Sequence, residues 1–127
     1  MSTRSIIAMK VDGGYRGIYC HFDGYPSGVG KTLLDHYTDA KKVEALIALG
    51  DISSLGGRVG PIGKHSFENR EDGTTVAYGR DRGETDCETT IAPTTRKLKA
   101  IFSDTDYLYV FEDGKWTVDG EEFDGTE

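Results

Sequence analysis

Apolar and polar residues near the amino terminus alternate in a way that predicts a β-hairpin. Residues 5–11 and 15–22 are rich in β-branched and aromatic side chains, and they flank an Asp-Gly-Gly turn at residues 12–14. Asp-Gly pairs permit the positive φ angles that tight hairpin turns require. The two-residue period of a strand places Tyr19 and His21 on the same face of the second strand.

The spacing of the apolar residues then lengthens to three or four, which predicts two helices joined in a tight hairpin. The first helix follows a loop at residues 23–28, and its apolar positions are Val29, Leu33, Leu34 and Tyr37. The second helix is predicted over residues 40–49. Thr38-Asp39 supplies its predicted N-cap, and Gly50 is the predicted left-handed residue that ends it.

The second half of the chain is predicted to contain a long loop, one strand, a short helix and a final hairpin. Residues 51–73 are rich in Gly, Ser and charged residues, which sustain regular structure poorly, so they are predicted as a loop. A third strand is predicted at residues 74–78. A short helix is predicted after Pro93, and the last hairpin comprises residues 107–111 and 115–118.

These elements predict a single α+β domain over residues 1–127. Its parts are a mainly antiparallel sheet of hairpins, a helical hairpin and a short third helix, because strands and helices do not alternate regularly. The 127 residues are enough to bury one core without disulfides or a metal ion. Residues 119–127 are acidic and contain few apolar side chains, so they are predicted to form a frayed tail.

The charge and cysteine content exclude several classes of function. A net charge of −7 opposes direct binding to nucleic acid, because phosphate contacts need a local excess of Lys and Arg. No apolar run approaches the roughly 20 residues of a membrane helix, so no membrane partner is expected. Cys20 and Cys87 lie far apart, and the amino terminus lacks a signal-peptide pattern. We therefore expect a cytoplasmic protein with two reduced thiols.

Residues 24–32 partly match a phosphate-binding loop, because a Gly-rich stretch ends in Gly-Lys-Thr at the predicted start of a helix. The match is incomplete, since Tyr25 occupies the position where the pattern requires its first glycine. We interpret the segment as a Gly-rich turn that begins a helix. Backbone N–H groups at that point, with Lys31, could still attract an anion.

The histidine and cysteine positions do not form a recognisable catalytic or metal-binding pattern. Cys20, His21 and Asp23 lie close in sequence, while His36 and His65 lie elsewhere. No pair has the roughly two-to-four-residue spacing of a structural zinc site. Adjacent strand residues face apart, so Cys20 and His21 cannot share a proton directly. We predict no catalytic residue, no metal and no cofactor.

Two arginines provide the strongest candidate for anion binding. Arg80 and Arg82 lie two residues apart, and in an extended segment both would point to one side and clamp a phosphate or carboxylate. Arg58 and Lys64, in the predicted long loop, could complete a basic pocket. The alternative is a surface network in which the arginines pair with neighbouring carboxylates such as Glu84.

Aromatic residues of the first hairpin complete the predicted ligand site. Tyr19 and Tyr25 could stack on a nucleobase, with His21 beside them, or could simply pack on the helices. Both interpretations stay open from the sequence. The predicted ligand-binding residues are therefore Arg80, Arg82, Arg58, Lys64, Tyr25, Tyr19 and His21.

Four sequence blocks carry a resemblance to a known family. They are Tyr-Cys-His-Phe-Asp-Gly-Tyr-Pro at 19–26, Leu-Leu-Asp-His-Tyr at 33–37, Leu-Gly-Asp-Ile-Ser-Ser-Leu-Gly at 49–56 and Tyr-Gly-Arg-Asp-Arg-Gly-Glu at 78–84. With these blocks the chain resembles a family of small phage and prophage proteins, most of which have no assigned function. Phe22 departs from the Trp expected there but keeps an aromatic ring. The resemblance implies a viral origin and an accessory role against host defence.

Three functions are compatible with these observations. The first is a counter-defence protein that binds and sequesters a small anionic, nucleotide-derived signal without catalysis, as a homo-oligomer whose subunits enclose the ligand. The second is an acidic inhibitor that occupies the basic nucleic-acid channel of a host defence nuclease. The third, a nucleotide hydrolase, requires His21, His36 or His65 to lie within hydrogen-bond distance of a carboxylate.

Overall fold

Seven strands form one mixed sheet in the computed structural model, which describes residues 3–123. In chain order they are β1 (Ser5–Val11), β2 (Gly14–Cys20), β3 (Ile52–Ser54), β4 (Val76–Ala77), β5 (Thr90–Ala92), β6 (Tyr107–Glu112) and β7 (Lys115–Val118). The order across the sheet is β4-β3-β2-β1-β6-β7, and β5 pairs with the first half of β2.

Most neighbouring strands are antiparallel, and two pairs are parallel. Strand β1 is parallel to β6, and β2 is parallel to β3 at a single residue pair, Cys20 and Ile52. The other four pairings, β1–β2, β2–β5, β3–β4 and β6–β7, are antiparallel. The predicted α+β class with a mainly antiparallel sheet is confirmed.

Four α-helices connect the strands: α1 (Lys31–His36), α2 (Ala40–Ala48), α3 (Tyr78–Arg82) and α4 (Thr95–Ile101). A π-helical turn, Pro26–Gly30, leads directly into α1. The side chain of Asp39 accepts a hydrogen bond from Lys41 N at the start of α2, as its predicted N-cap role requires. Thr94 caps α4 in the same way, by accepting from Lys97 N.

Both faces of the central strand β1 are covered, which explains its nearly continuous apolar sequence. Helices α1 and α2 cover one face and form the larger core, which includes Ile7, Met9, Ile18, Leu33, Tyr37, Leu46, Ile47, Tyr109 and Trp116. Helix α4 covers the other face with a smaller core of Ile6, Ala8, Ala92, Leu98, Leu108 and Val110. Successive side chains of β1 therefore point alternately into the two cores, and neither face of the strand is turned to solvent.

Buried hydroxyl and indole groups tie loops to this framework. The Tyr109 hydroxyl donates to Gly24 O at 2.7 Å, and the indole N–H of Trp116 donates to Tyr37 O at 2.8 Å. The Tyr37 hydroxyl in turn donates to Gly56 O at 2.6 Å. These bonds satisfy polar atoms that burial would otherwise leave unpaired, and they fix where each loop lies.

Several predicted elements are confirmed, two short strands were missed, and one predicted strand is shorter than expected. The two hairpins and the helices near residues 31, 40 and 95 are present. The region predicted as loop contains β3, the segment after it contains β5, and the predicted third strand is reduced to the two residues of β4. These strands have two or three residues each, too few to produce a recognisable period.

The largest correction concerns residues 78–82, which form helix α3 rather than an extended segment. In a helix, residues two apart do not share a face, so Arg80 and Arg82 point in different directions. Gly83 ends α3 in the left-handed conformation at φ 73°. The two-arginine clamp predicted from an extended backbone is therefore wrong in its geometry.

The carboxyl-terminal segment folds back on the sheet as far as the structure describes it. Val118 N donates to Glu121 O at 2.8 Å, and the Phe123 ring lies 5.5 Å from the Tyr109 ring. The predicted frayed tail covers residues 119–127, of which 124–127 lie outside the described residues. Among residues 3–123, no helix is both long enough and apolar enough to cross a membrane.

Candidate functional site

Arg80 is the principal link between helix α3 and the loop that precedes β4. Its guanidinium group donates to Val59 O and to Thr75 O, both at 2.6 Å. The same group contacts the carboxylate of Asp81 at 2.9 Å through two nitrogens. A guanidinium with these four contacts has little donor capacity left for a ligand, so its evident role is to hold the loop.

Arg58 and Glu71 organise the interior of the same loop. Arg58 donates to Asp72 O at 2.6 Å and lies 3.4 Å from the Glu71 carboxylate. Glu71 also accepts hydrogen bonds from Thr74 Oγ1, from Ile62 N at 2.8 Å and from Gly63 N at 2.6 Å. These bonds, led by the Thr74 hydroxyl and the Ile62 N–H, lower the pKa of Glu71 to about 2.

Asp81 and His65 form a buried pair beneath this loop. The His65 Nε2 atom lies 3.1 Å from Asp81 Oδ2, and their side chains are only 1% and 6% exposed. Burial by itself raises the pKa of Asp81, but hydrogen bonds from Arg80, Ala77 N and His65 outweigh it and lower that pKa to about 2. The His65 Nδ1 atom accepts from Glu71 N at 3.0 Å, so one imidazole contacts the Asp81 carboxylate and the backbone of Glu71.

The remaining two predicted basic residues lie at the surface. The Arg82 guanidinium is 3.3 Å from the Glu84 carboxylate and 4.9 Å from the centre of the Phe67 ring. Lys64 is exposed in the loop. Arg58, Arg80 and Arg82 each have a carboxylate within 3.4 Å, which is the arrangement of the alternative surface-network interpretation. Neither of the two cavities described next is lined by any of these four residues.

A cavity of about 260 Å³ lies at the end of helix α4 and is lined by one of the predicted aromatic residues, Tyr19. It is lined by Arg4, Tyr19, Asp51, Ile101, Phe102, Ser103, Asp104 and Thr105. The Tyr19 ring is stacked on Phe102, with 6.4 Å between centroids and 24° between planes. The Tyr19 hydroxyl is 2.7 Å from His21 Nδ1, so His21 is joined to this site, which we call the Arg4 cavity.

The electrostatics of the Arg4 cavity are dominated by one loosely paired guanidinium. Arg4 Nη1 lies 3.9 Å from Asp104, a longer contact than those of the three loop arginines, and its side chain is 39% exposed. Its Nε atom is buried and donates no hydrogen bond within residues 3–123. Asp51 accepts from Tyr19 N at 3.0 Å, and burial raises the pKa of its carboxyl group. Arg4 thus retains donor capacity beside a stacked aromatic pair.

Tyr25 lies in a different place from Tyr19. It lines a second cavity of about 270 Å³, formed around Phe22, the Gly-rich turn and α1. Lys31, which the phosphate-loop interpretation made a candidate anion ligand, is 3.1 Å from Asp35 on the next turn of α1. The turn itself is π-helical, with Pro26 at its start. The sequence prediction that this segment begins a helix is confirmed.

Two of the groups that could carry out catalysis, Cys20 and His65, have buried side chains, whereas His36 is exposed and lines the second cavity. Burial raises the pKa of the Cys20 thiol to about 12, so it stays protonated and is a poor nucleophile. His65 does meet a carboxylate within hydrogen-bond distance, as the hydrolase hypothesis requires, but both side chains are enclosed. Within the part of the chain that the structure describes, no three His, Cys, Asp or Glu residues are grouped to hold a metal ion.

Of the residues that line the Arg4 cavity, sequence reasoning identified only Tyr19, and Arg4, Asp51 and Phe102 are among those that it missed. They come from the start of β1, the turn before β3 and the end of α4, which are distant in sequence. The only local signal was the amphipathic pattern of α4, which predicts Phe102 near the core but not its stack with Tyr19. No protein-family model, curated protein or solved structure matches this chain.

Proposed function

We propose that this protein binds a small, anionic, nucleotide-like ligand in the Arg4 cavity and holds it without converting it. The ligand would have a flat ring, which stacks beside Tyr19 and Phe102, and a phosphate or similar group, which pairs with Arg4. This retains the function expected from the sequence and moves its cationic centre from the loop arginines to Arg4.

The observation that carries the proposal is that the Arg4 guanidinium is paired only loosely with a carboxylate. The three loop arginines each lie within 3.4 Å of a carboxylate, and Arg80 also donates to two carbonyl oxygens. Each is therefore paired more closely with a carboxylate than Arg4 is, although Arg58 Nε, like Arg4 Nε, donates no hydrogen bond within residues 3–123. Arg4 has one carboxylate at 3.9 Å and an aromatic pair beside it. A ligand phosphate would supply the short, charge-assisted hydrogen bonds that Arg4 lacks within residues 3–123.

Two carboxylates in the lining limit the charge that the ligand can have. Asp51 and Asp104 both line the Arg4 cavity, so a group with several negative charges would be repelled. A singly charged phosphodiester, as in a cyclic nucleotide, is the form that suits one arginine. Hydrogen-bond donors on the base would be attracted to the Asp51 carboxylate.

Capture rather than turnover is supported by the chemistry around the cavity. The Tyr19 hydroxyl lies 2.7 Å from His21 Nδ1, and burial, partly opposed by Arg4, raises the pKa of that hydroxyl. It is therefore neutral near pH 7, and the buried Cys20 thiol is neutral as well. The proposal accordingly assigns no nucleophile to the site.

The size of the cavity leads to a second element of the proposal, a homo-oligomer. Ligand pockets usually have volumes of roughly 300–1,000 Å³ and enclose most of their ligand. The Arg4 cavity has about 260 Å³. A second subunit that covers its mouth would complete the enclosure. The resemblance to phage and prophage proteins gives the setting that we propose, sequestration of a host immune signal in the bacterial cytoplasm.

The test is to incubate the purified protein with cyclic mono- and dinucleotides and ADP-ribose derivatives, remove free ligand, denature the protein by heat and identify what is released by mass spectrometry. Release of an intact ligand supports capture, and release of a converted ligand contradicts it. Arg4→Ala should weaken retention by at least about tenfold. Arg82→Ala, which removes the same charge from an exposed pair, is the matched control and should retain the ligand.

A second candidate function follows because the basic pocket predicted from Arg58, Lys64, Arg80 and Arg82 does not form. The loop arginines are neutralised by neighbouring carboxylates, Glu84 among them, so the net charge of −7 comes from other carboxylates. Asp86 and Glu88 are two of these, and they follow α3 within a few residues. An acidic surface of this kind suits an inhibitor that occupies the basic channel of a host nuclease. If no nucleotide is retained, inhibition of DNA cleavage by purified defence nucleases, weakened by salt and by Asp86→Asn with Glu88→Gln, would support this candidate.

A further inference from the structure

The second cavity, beside the Gly-rich turn, is built by close backbone packing around two aromatic residues. Val29 N donates to Asp23 O at 2.7 Å, which folds the turn back on the end of β2. At Gly28 a Cβ atom would collide with Asp23 O and lie 2.9 Å from the Tyr25 ring, so only glycine permits this approach. Phe22, which is 38% exposed, and Tyr25 are thereby placed along one wall, so we call this the Phe22 cavity.

The charges of the Phe22 cavity are arranged differently from those of the Arg4 cavity. Asp23 and Asp35 both line it, and Lys31 is the only Lys or Arg among the described residues of its lining. Lys31 is already 3.1 Å from Asp35, so those two charges neutralise each other. Asp23 accepts a hydrogen bond from the Tyr25 hydroxyl at 3.1 Å and forms no ion pair with any cation of residues 3–123. One carboxylate beside two aromatic rings therefore has no cationic partner in the described chain.

We infer that the Phe22 cavity binds an organic cation, a guanidinium or primary ammonium group. The faces of aromatic rings attract such cations, and a carboxylate within reach adds an ion pair. Asp23 would supply the charge, while Phe22 and Tyr25 would supply the ring faces. The volume of about 270 Å³ accommodates the head group and part of the stem of a basic side chain.

Two further features favour a cationic ligand at this position. The net charge of −7 gives the protein a negative potential that concentrates cations at its surface. The hydrogen bond from Tyr25 orients the Asp23 carboxylate before any ligand arrives, which reduces the entropy lost on binding. The inference is independent of nucleotide capture, because the two cavities share no lining residue within the described chain.

The experiment measures binding of N-acetyl-arginine amide to the ¹⁵N-labelled protein by amide chemical-shift titration. The neutral isostere N-acetyl-citrulline amide is titrated in parallel. Saturable shifts at residues 22–36 with the arginine compound, and none with the citrulline compound, are expected. Spermidine, which carries ammonium groups, is titrated in the same way. Tighter binding of spermidine than of the arginine compound would assign the cavity to ammonium rather than guanidinium ligands.

Matched variants separate the proposed site from general attraction to an acidic protein. Asp23→Asn removes the charge at a position with φ 57°, which Asn tolerates, and should weaken binding by at least about tenfold. Asp113→Asn changes the same charge at φ 54° in the β6–β7 turn and should leave binding within about twofold. Phe22→Leu, at an exposed position, should weaken binding several-fold without unfolding the protein.

Equal loss of affinity in Asp23→Asn and Asp113→Asn would overturn the inference, because it would show attraction to net charge alone. Shifts spread over the whole surface, or equal binding of the citrulline compound, would overturn it as well. Since Arg4 does not line the Phe22 cavity, Arg4→Ala should leave cation binding unchanged. That result keeps the outcome of this test separate from the outcome of the nucleotide test.

Discussion

The His65 Nε2 atom lies 3.1 Å from Asp81 Oδ2, and both side chains are almost completely enclosed. Through this pair an irregular loop is fastened to a five-residue helix. The same imidazole accepts the N–H of Glu71, whose carboxylate orders the other end of the loop. The region between β3 and β4 is thus held by a polar network in addition to the apolar contacts of Leu55 and Val59 with the larger core.

Neutralising Asp81 should destabilise the protein more than neutralising any exposed carboxylate. Asp81→Asn removes the charge that Arg80 and His65 contact, and leaving buried donors unpaired should lower the free energy of unfolding by about 2 kcal/mol or more. Urea denaturation followed by Trp116 fluorescence measures the change. Glu84→Gln, which breaks an exposed pair with Arg82, is the control and should cost less than about 0.5 kcal/mol. Equal effects would contradict the network.

Stability should fall in acid because of Glu71 and Asp81. Their folded pKa values are about 2, below the ordinary values of 4.5 and 3.8, so the unfolded chain binds protons first. Both groups therefore contribute their full stabilisation above about pH 5, and that contribution is lost as the pH falls toward about 2. Melting temperatures measured from pH 6 down to pH 2 test this. The double variant Glu71→Gln with Asp81→Asn should be less stable at pH 6 and show a flatter pH dependence.

The two cysteines should react with thiol reagents at very different rates. Cys20 is fully buried with a pKa of about 12, whereas Cys87 is partly exposed. Iodoacetamide should therefore modify one thiol in the native protein and both after denaturation. Mass spectrometry of digested protein identifies the site. Rapid modification of Cys20 under native conditions would show that the strand β2 is open to solvent.

Replacing Gly50 should be far more harmful than replacing another glycine with the same backbone conformation. Gly50 has φ 80°, and a Cβ atom there would collide with the carbonyl oxygen of Cys87. Gly13 has φ 82°, and a Cβ atom there would meet no other atom within 4 Å. Gly13→Ala should thus cost about 1 kcal/mol, from backbone conformation alone, while Gly50→Ala should cost about 3 kcal/mol or more. Thermal denaturation of both variants measures the difference.

The Tyr37 hydroxyl should contribute measurably to the attachment of the loop to the larger core. It donates to Gly56 O at 2.6 Å and lies 3.3 Å from Thr75 Oγ1. Tyr37→Phe keeps the ring but removes the donor, so it should lower the free energy of unfolding by about 1 kcal/mol. Hydrogen exchange should also accelerate at Gly56 N, which donates to Thr75 Oγ1. Unchanged exchange there would show that the loop is held without Tyr37.

Local sequence patterns determined the regular part of this fold. The Asp-Gly turns of the first and last hairpins, the cap at Asp39 and the stop at Gly50 act over a few residues, so they could be identified without knowing the rest of the molecule. The strands β3 and β5 could not be identified in this way, and only the approximate position of β4 was predicted. Their two or three residues become strands only because a neighbouring strand is already in place.

In the candidate sites, too, the sequence determined one part and the tertiary structure decided the other. The sequence supplied the residue types, an excess of carboxylates, several arginines and a group of tyrosines, but not their partners. Helix α3 turned Arg80 inward onto two carbonyl groups, while α4 brought Phe102 beside Tyr19 and Arg4. A guanidinium group stabilises the fold when protein acceptors lie within about 3 Å of it, and it is available to a ligand when they do not. The distances between residues that are far apart in the chain are decided by tertiary packing, so the sequence could not distinguish these two roles.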